Sequence, residues 1–182
     1  MNELKDENSG GKAVEEEFRK AVIEYRERIY LMILKYVRNR DDAKDLTQET
    51  FIKAYKSLGS FRGESGLYTW IYKIAVNLAI NFKTRSKTSA FQSLEDHSGV
   101  YSDEVPSDSI IKKEITEKID GAVKSLPEKQ RMVFVLRYYD ERPYAEISEL
   151  MGITEGAAKA NFHQALRKMK VELKDFAADG IA

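Results

Sequence analysis

Apolar residues recur along this chain at three- and four-residue steps and nowhere alternate convincingly at period two, so the fold has to be built from helices. Phe18, Val22, Tyr25, Ile29, Met32, Ile33 and Tyr36 share one stripe and predict a first helix. Asp41 and Asp42 stand where they would cap a second, with Leu46, Phe51, Ala54, Tyr55 and Leu58 facing inward and Gly59 ending it. Gly63, Ser65 and Gly66 mark Ser60 to Tyr68 as a loop. Trp70, Ile74, Leu78 and Phe82 then predict a third helix, beside a polar stripe of Lys73, Asn77 and Asn81 that Arg85 continues.

From Thr88 to Ile110 the periodicity fails, Pro106 appears, and Glu95, Asp96, Asp103, Glu104 and Asp108 have no Lys or Arg among them, the composition of a linker. Ile111, Ile115, Ile119 and Val123 restart a helix, Leu126-Pro127 opens the next, and Met132, Val133, Val135, Leu136 and Tyr139 give it a buried face. A short helix from Tyr144 to Met151 ends at Gly152. Thr154 can cap a last one whose Ala158, Phe162, Ala165, Leu166, Met169 and Leu173 share a face. The expected fold is all-α: two small helical domains, 14–88 and 111–175, joined by a flexible acidic linker at 89–110. A disordered tail is expected at 1–13 and a C-terminal tail at 176–182.

The 182 residues carry 30 Lys plus Arg and 30 Asp plus Glu, so the overall charge says nothing about a polyanionic partner, and only its distribution can. Cys is absent, which excludes disulfides, thiolate metal sites and cysteine nucleophiles and agrees with a cytoplasmic location. No apolar run approaches the ~20 residues that cross a bilayer, and the polar start of the chain is unlike a secretion signal. His97 and His163 have no His or Cys at ligand spacing. The acids Asp41, Asp42, Asp45 and Glu49 lack a partner that would complete a catalytic or metal site. No cofactor, no metal and no enzymatic activity are expected.

Two features point to nucleic acid. No Asp or Glu occurs from Ser65 through Leu94, whereas Lys73, Lys83, Arg85 and Lys87 do, together with Tyr68, Trp70, Tyr72, Phe82, Asn77 and Asn81. Aromatic rings for stacking and amides for base edges along a basic track suit a single strand. The same aromatics at helical spacing also suit a core, and the residues alone leave both readings open. Second, Ser148-x-x-x-Gly152 ahead of Ala158 has the grammar of a helix-turn-helix. Its last helix presents Lys159, Asn161, His163, Gln164, Arg167, Lys168 and Lys170 outside the apolar stripe. A helical hairpin that packs for its own sake has the same pattern.

The run Asp41-Asp42-Ala43-Lys44-Asp45-Leu46-Thr47-Gln48-Glu49-Thr50-Phe51-Ile52-Lys53-Ala54-Tyr55 resembles region 2 of extracytoplasmic-function (ECF) sigma factors. So do Phe61-Arg62-Gly63-Glu64-Ser65 and Tyr68-Thr69-Trp70-Ile71-Tyr72-Lys73-Ile74-Ala75-Val76-Asn77. Leu126-Pro127-Glu128-Lys129-Gln130-Arg131, Tyr144-Ala145-Glu146-Ile147 and Gly152-Ile153-Thr154-Glu155-Gly156 are similar to region 4. The resemblance implies a promoter-recognition subunit of RNA polymerase. It implies that Asp45, Gln48, Glu49 and Phe51 dock on the clamp coiled coil of the largest polymerase subunit, with a further contact to the flap region. Phe61, the loop Arg62 to Tyr68 with Gly63, Asn77 and Asn81 would receive unstacked bases of the −10 element, with Trp70, Lys73 and Arg85 beside them. Lys159, Ala160, His163 and Gln164 would read the −35 element as duplex, with Thr154 at the start of that helix and Arg131 and Arg167 on phosphates. Ala160, Asn161, Gln164 and Leu166 stand where Ser or Arg is more usual in the family, which points to a different preferred sequence. An anti-sigma protein is a further partner expected by resemblance, and the acidic linker is expected to run toward the polymerase active-site channel. The competing reading is a helix-turn-helix regulator that binds duplex DNA without polymerase.

Overall fold

Seven α-helices make up almost all of the computed structural model, which describes residues 6–89 and 110–174. Helix α1 (Asp6–Val37) begins inside the stretch expected to be a tail; Gly10 and Gly11, poor helix formers, conceal its start in the sequence. It stops at Arg38, whose φ of 60° is left-handed. That uncommon backbone is held by its side chain, which is buried and bound to Asp120 and, at 3.1 Å, to the Tyr139 hydroxyl.

Asn39, not Asp41 or Asp42, caps α2 (Arg40–Lys56): its Oδ1 accepts from the backbone N–H of Asp41 at 2.9 Å and of Asp42 at 3.0 Å. The two aspartates instead occupy the first turn, where their charge complements the helix dipole. Leu46, Phe51, Ala54 and Leu58 are buried as their spacing predicts, but Tyr55 is 56% exposed. Its ring lies at the rim, 5.8 Å from that of Phe18. A 3₁₀ turn, Leu58–Ser60, leads into the loop before α3 (Leu67–Ser89).

The buried stripe of α3 is Leu67, Ile71, Ala75, Leu78 and Ala79, and Trp70, Ile74 and Phe82 sit half-buried along its edge. Every four-residue step advances about 40° around a helix of 3.6 residues per turn, so a stripe read at strict four-residue spacing drifts off the core. Tyr72, grouped with the nucleic-acid aromatics by sequence, is 1% exposed.

The second half contains α4 (Ile110–Ser125), α5 (Glu128–Phe134) with a π-helical turn Val135–Tyr139 continuing it, α6 (Tyr144–Met151) and α7 (Glu155–Glu172). Ala122, Val123, Leu126, Phe134, Ala165 and Met169 form its own apolar cluster. The expected linker falls mostly, and the C-terminal tail wholly, outside the described residues. The two halves are packed together: α3 touches α5 and α6, and one buried cluster runs from Ile29 and Met32 to Met132, Leu136 and Ile147.

Gly152 turns α6 into α7 with φ 62° and ψ 39°, and a Cβ there would meet nothing within 4 Å. Substitution therefore carries only the conformational cost of the left-handed region. Gly152→Ala is expected to lower stability by about 1 kcal/mol, read from denaturant unfolding, with the helix content unchanged.

Candidate nucleic-acid and polymerase interfaces

Gly63 adopts a left-handed φ of 70°, and the turn it permits brings Phe61 back over the start of α3. The Phe61 and Trp70 ring centroids come within 5.3 Å, and with Ser60, Arg62, Thr69 and Lys73 they line an open cleft of about 330 Å³. Glu64 and Glu149, the latter from α6, complete its wall. Lys73, Asn77 and Asn81 stand exposed one turn apart, so the predicted polar stripe reaches solvent as a stripe. Arg85 continues the helix, but its side chain is outside the described residues. The structure thus brings two half-buried rings, Arg62 and Lys73 to one concave place, with two amides leading away from it. Such a surface can stack an unpaired base and hydrogen-bond its edge.

Tyr68 departs from the expected arrangement. Its hydroxyl accepts from Arg142 Nη2 at 2.6 Å and its ring sits 4.4 Å from that of Tyr25, so the second half of the chain already occupies it. Burial pushes its hydroxyl pKa up, against the opposing charge of Arg142. Beside it, the buried Tyr72 hydroxyl donates to Asp140. Burial raises the Asp140 carboxyl above the usual carboxylate range, and the Tyr72 hydrogen bond, Lys35 and Arg142 work against that rise.

On α7 the predicted reading residues Lys159, Ala160, His163, Gln164 and Arg167 are all exposed, while Ala158, Ala165 and Met169 hold the opposite face in the core. Thr154 is the cap, its Oγ1 accepting from Ala157 N–H at 3.1 Å. Gln164 accepts at 2.7 Å from Gln130, and Lys159 lies 3.9 Å from Glu155, so both are steadied from within the unit. Arg131, expected on a phosphate, is turned inward in this arrangement. It is 5% exposed, its guanidinium donates to the Lys124 and Leu126 carbonyls, and it lies 5.6 Å from the Tyr36 ring centroid. In this arrangement it is a structural cation and does not face a phosphate.

On α2, Asp45, Gln48 and Glu49 are exposed as predicted, but Phe51 is 9% exposed and packs on Phe18, with centroids 6.5 Å apart. The apolar residues beside these acids are Ile52 and Tyr55, 54% and 56% exposed. Read by sequence, Tyr55 falls on the inward face and Ile52 has no role of its own, although Gln48, Ile52 and Tyr55 at i, i+4 and i+7 describe a line away from the core stripe.

Residues 21–88 match the family model Sigma-70 region 2, and residues 116–169 match Sigma-70, region 4. The chain is 31% identical over 160 residues to the ECF RNA polymerase sigma factor SigW of Bacillus subtilis, covering 83% of this chain and 86% of that one. It is 33% identical over 157 residues to the ECF RNA polymerase sigma-E factor of Escherichia coli strain K12, covering 81% and 82%. Among solved structures, the fold is similar to the sigma factor RpoE in complex with the anti-sigma factor NepR from Bartonella quintana. That likeness has a TM-score of 0.69 at 19% identity over 87% of this chain and 97% of that one. It is also similar to CnrH in complex with the cytosolic domain of CnrY, at 0.63 and 16%, over 90% and 89%. No helix among the described residues is long and apolar enough to cross a membrane. With both regions matched in order and relatives above 30% identity along most of their length, the chain belongs to the ECF RNA polymerase sigma factors, which direct the polymerase to promoters.

Proposed function

We propose that this sigma factor captures the melted −10 strand in the Phe61–Trp70 cleft and along Lys73, Asn77 and Asn81, and reads the −35 element as duplex with α7. The observation that carries this is the convergence of two rings, two cations and an exposed amide stripe on a helix whose sequence holds no carboxylate. Extruding a base costs a few kcal/mol, and stacking with hydrogen bonding returns roughly 1–3 kcal/mol per base. Strand capture therefore offsets melting without nucleotide hydrolysis, and the protein acts in the cytoplasm as a binding subunit and not as an enzyme. Its acidic α2 face docks on the clamp coiled coil of core polymerase, and its second unit lies near the flap. An anti-sigma factor is a fitting partner, since both similar solved structures named above are complexes with such a protein or with the cytosolic domain of CnrY.

Transcription of genomic fragments by core polymerase, with and without this protein, tests the assignment. New start sites that appear only with the protein support it. Direct binding to a duplex operator, with active polymerase but no new start sites, would leave a stand-alone regulator instead. The −35 face adds a quantitative check. Arg167→Ala should weaken duplex binding by a similar factor on every sequence and reduce the slope of log K against log salt by about 0.9, the loss of one phosphate contact.

A further inference from the structure

We propose that Gln130 fixes which end of the Gln164 carboxamide faces the duplex, so that α7 offers the −35 element an NH2 group at this position and selects guanine there over adenine. This rests on the assignment of α7 to the −35 duplex and names the base class that one of its side chains takes.

Gln164 is exposed on α7, and its Oε1 accepts from Gln130 Nε2 at 2.7 Å where α5 packs against α7. Gln130 is half-buried, and its own Oε1 is buried with no hydrogen-bond partner among the described residues, so the amino end is the one it gives to Gln164. A primary amide carries one carbonyl oxygen and one NH2. With the oxygen of Gln164 held on the α5 side, its free end is the NH2, and no hydrogen bond among the described residues engages those two protons.

The polar neighbours on α7 are directed elsewhere. Asn161 Nδ2 donates to the Ala157 carbonyl at 2.8 Å, and Lys159 Nζ lies 3.9 Å from Glu155 and 5.8 Å from the Tyr144 ring centroid. Ala160, one turn before Gln164, has no polar side-chain atom. Gln164 is therefore the amide of this helix whose donors stay free for a base edge.

A glutamine free to choose its orientation pairs best with adenine, its oxygen accepting from the N6 amino group while its NH2 donates to N7. Held by its oxygen, the amide loses the first of these bonds and sets a donor against the N6 amino group. Guanine instead presents two acceptors, O6 and N7. Thymine presents one, O4, and cytosine only an amino group. Guanine should therefore rank first, adenine and thymine next, and cytosine last. Gln130 acts in this as a positioning residue, without touching the base.

The test is transcription by core polymerase with the full-length protein, from a promoter it recognises whose −35 region has been randomised. Gln164→Ala locates the base pair, as the position at which preference is lost. There the wild type should favour guanine over adenine by roughly 5- to 150-fold. Gln130→Lys, which still donates, should keep guanine. Gln130→Glu, which only accepts, should turn the amide round and move the preference to a base with an amino group, adenine or cytosine. Gln130→Met, which keeps the bulk and removes both polar ends, should relax it toward adenine. Adenine favoured by the wild type, or a preference unmoved in both Gln130→Glu and Gln130→Met, overturns the proposal. A contact that only steadied α5 against α7 would weaken every −35 position together, whereas a positioning residue changes one base pair. If randomising the −35 region leaves transcription unaffected, the assignment of α7 fails and the proposal with it. A −35 preference indifferent to Gln164→Ala removes the proposal alone and leaves that assignment standing.

Discussion

Promoter-dependent transcription by core polymerase should fall roughly 5- to 150-fold in Phe61→Ala and in Asn77→Ala, the equivalent of about 1–3 kcal/mol for one lost base contact. Phe61 is half-buried against Trp70 at the mouth of the cleft, and removing its ring takes away the face proposed to stack on a base. Asn77 is exposed on α3, so its truncation leaves the core intact and removes only a donor and acceptor for a base edge. Both losses should appear in open-complex formation, measured by permanganate reactivity of the melted strand, with core-polymerase affinity unchanged. On a template whose −10 region is already unpaired by mismatches, the defect should shrink, because the melting cost that the contact offsets has been removed. Equal defects on paired and mismatched templates, or a parallel loss of polymerase binding, would place these residues outside strand capture.

How far the site could be read ahead of the structure depended on whether a residue's role follows from its own helix. The amide and lysine stripe of α3 and the exposed face of α7 are set by local periodicity, and Lys73, Asn77, Asn81, Lys159, His163 and Arg167 all stand in solvent as their spacing implies. Gly152 and Thr154 were legible for the same reason, since a left-handed turn and a cap are local chemistry. The partners of Arg131, Tyr68 and Tyr72 could not be read in the same way, because they include residues far along the chain. A cation stacked near Tyr36 and a hydroxyl bound to Asp140 leave no periodic trace. The packing of the two units belongs to the same class: both of its faces are amphipathic in any reading, and only the tertiary structure shows that one covers the other. Phe51 and Tyr55 show how narrow the margin is on a single helix. Four residues apart, they differ by about 40° around the axis, and that rotation carries Phe51 into the core and Tyr55 to the rim.

That rotation separates two effects that an alanine scan of α2 would otherwise merge. Tyr55→Ala should weaken binding to core polymerase by roughly 2 kcal/mol, about 30-fold, because an exposed aromatic beside the exposed Ile52 has the character of an interface hot spot. The folded state should lose little, since Tyr55 is 56% exposed, with its ring at the rim beside Phe18. Phe51→Ala should behave in the opposite way. Its ring is buried against Phe18, and truncating it opens a cavity between α1 and α2 at a cost of about 3–5 kcal/mol in stability. At a temperature where the variant remains folded, its polymerase affinity should stay near that of the wild type. Asp45→Ala and Glu49→Ala serve as electrostatic controls: each should slow association and make binding less sensitive to salt, with thermal stability unchanged, because rim charges act mainly through the encounter. A Phe51 variant that keeps its stability but loses polymerase would return the docking contact to the buried ring. Loss of affinity confined to Tyr55 and Ile52 would assign it to the outer line of α2.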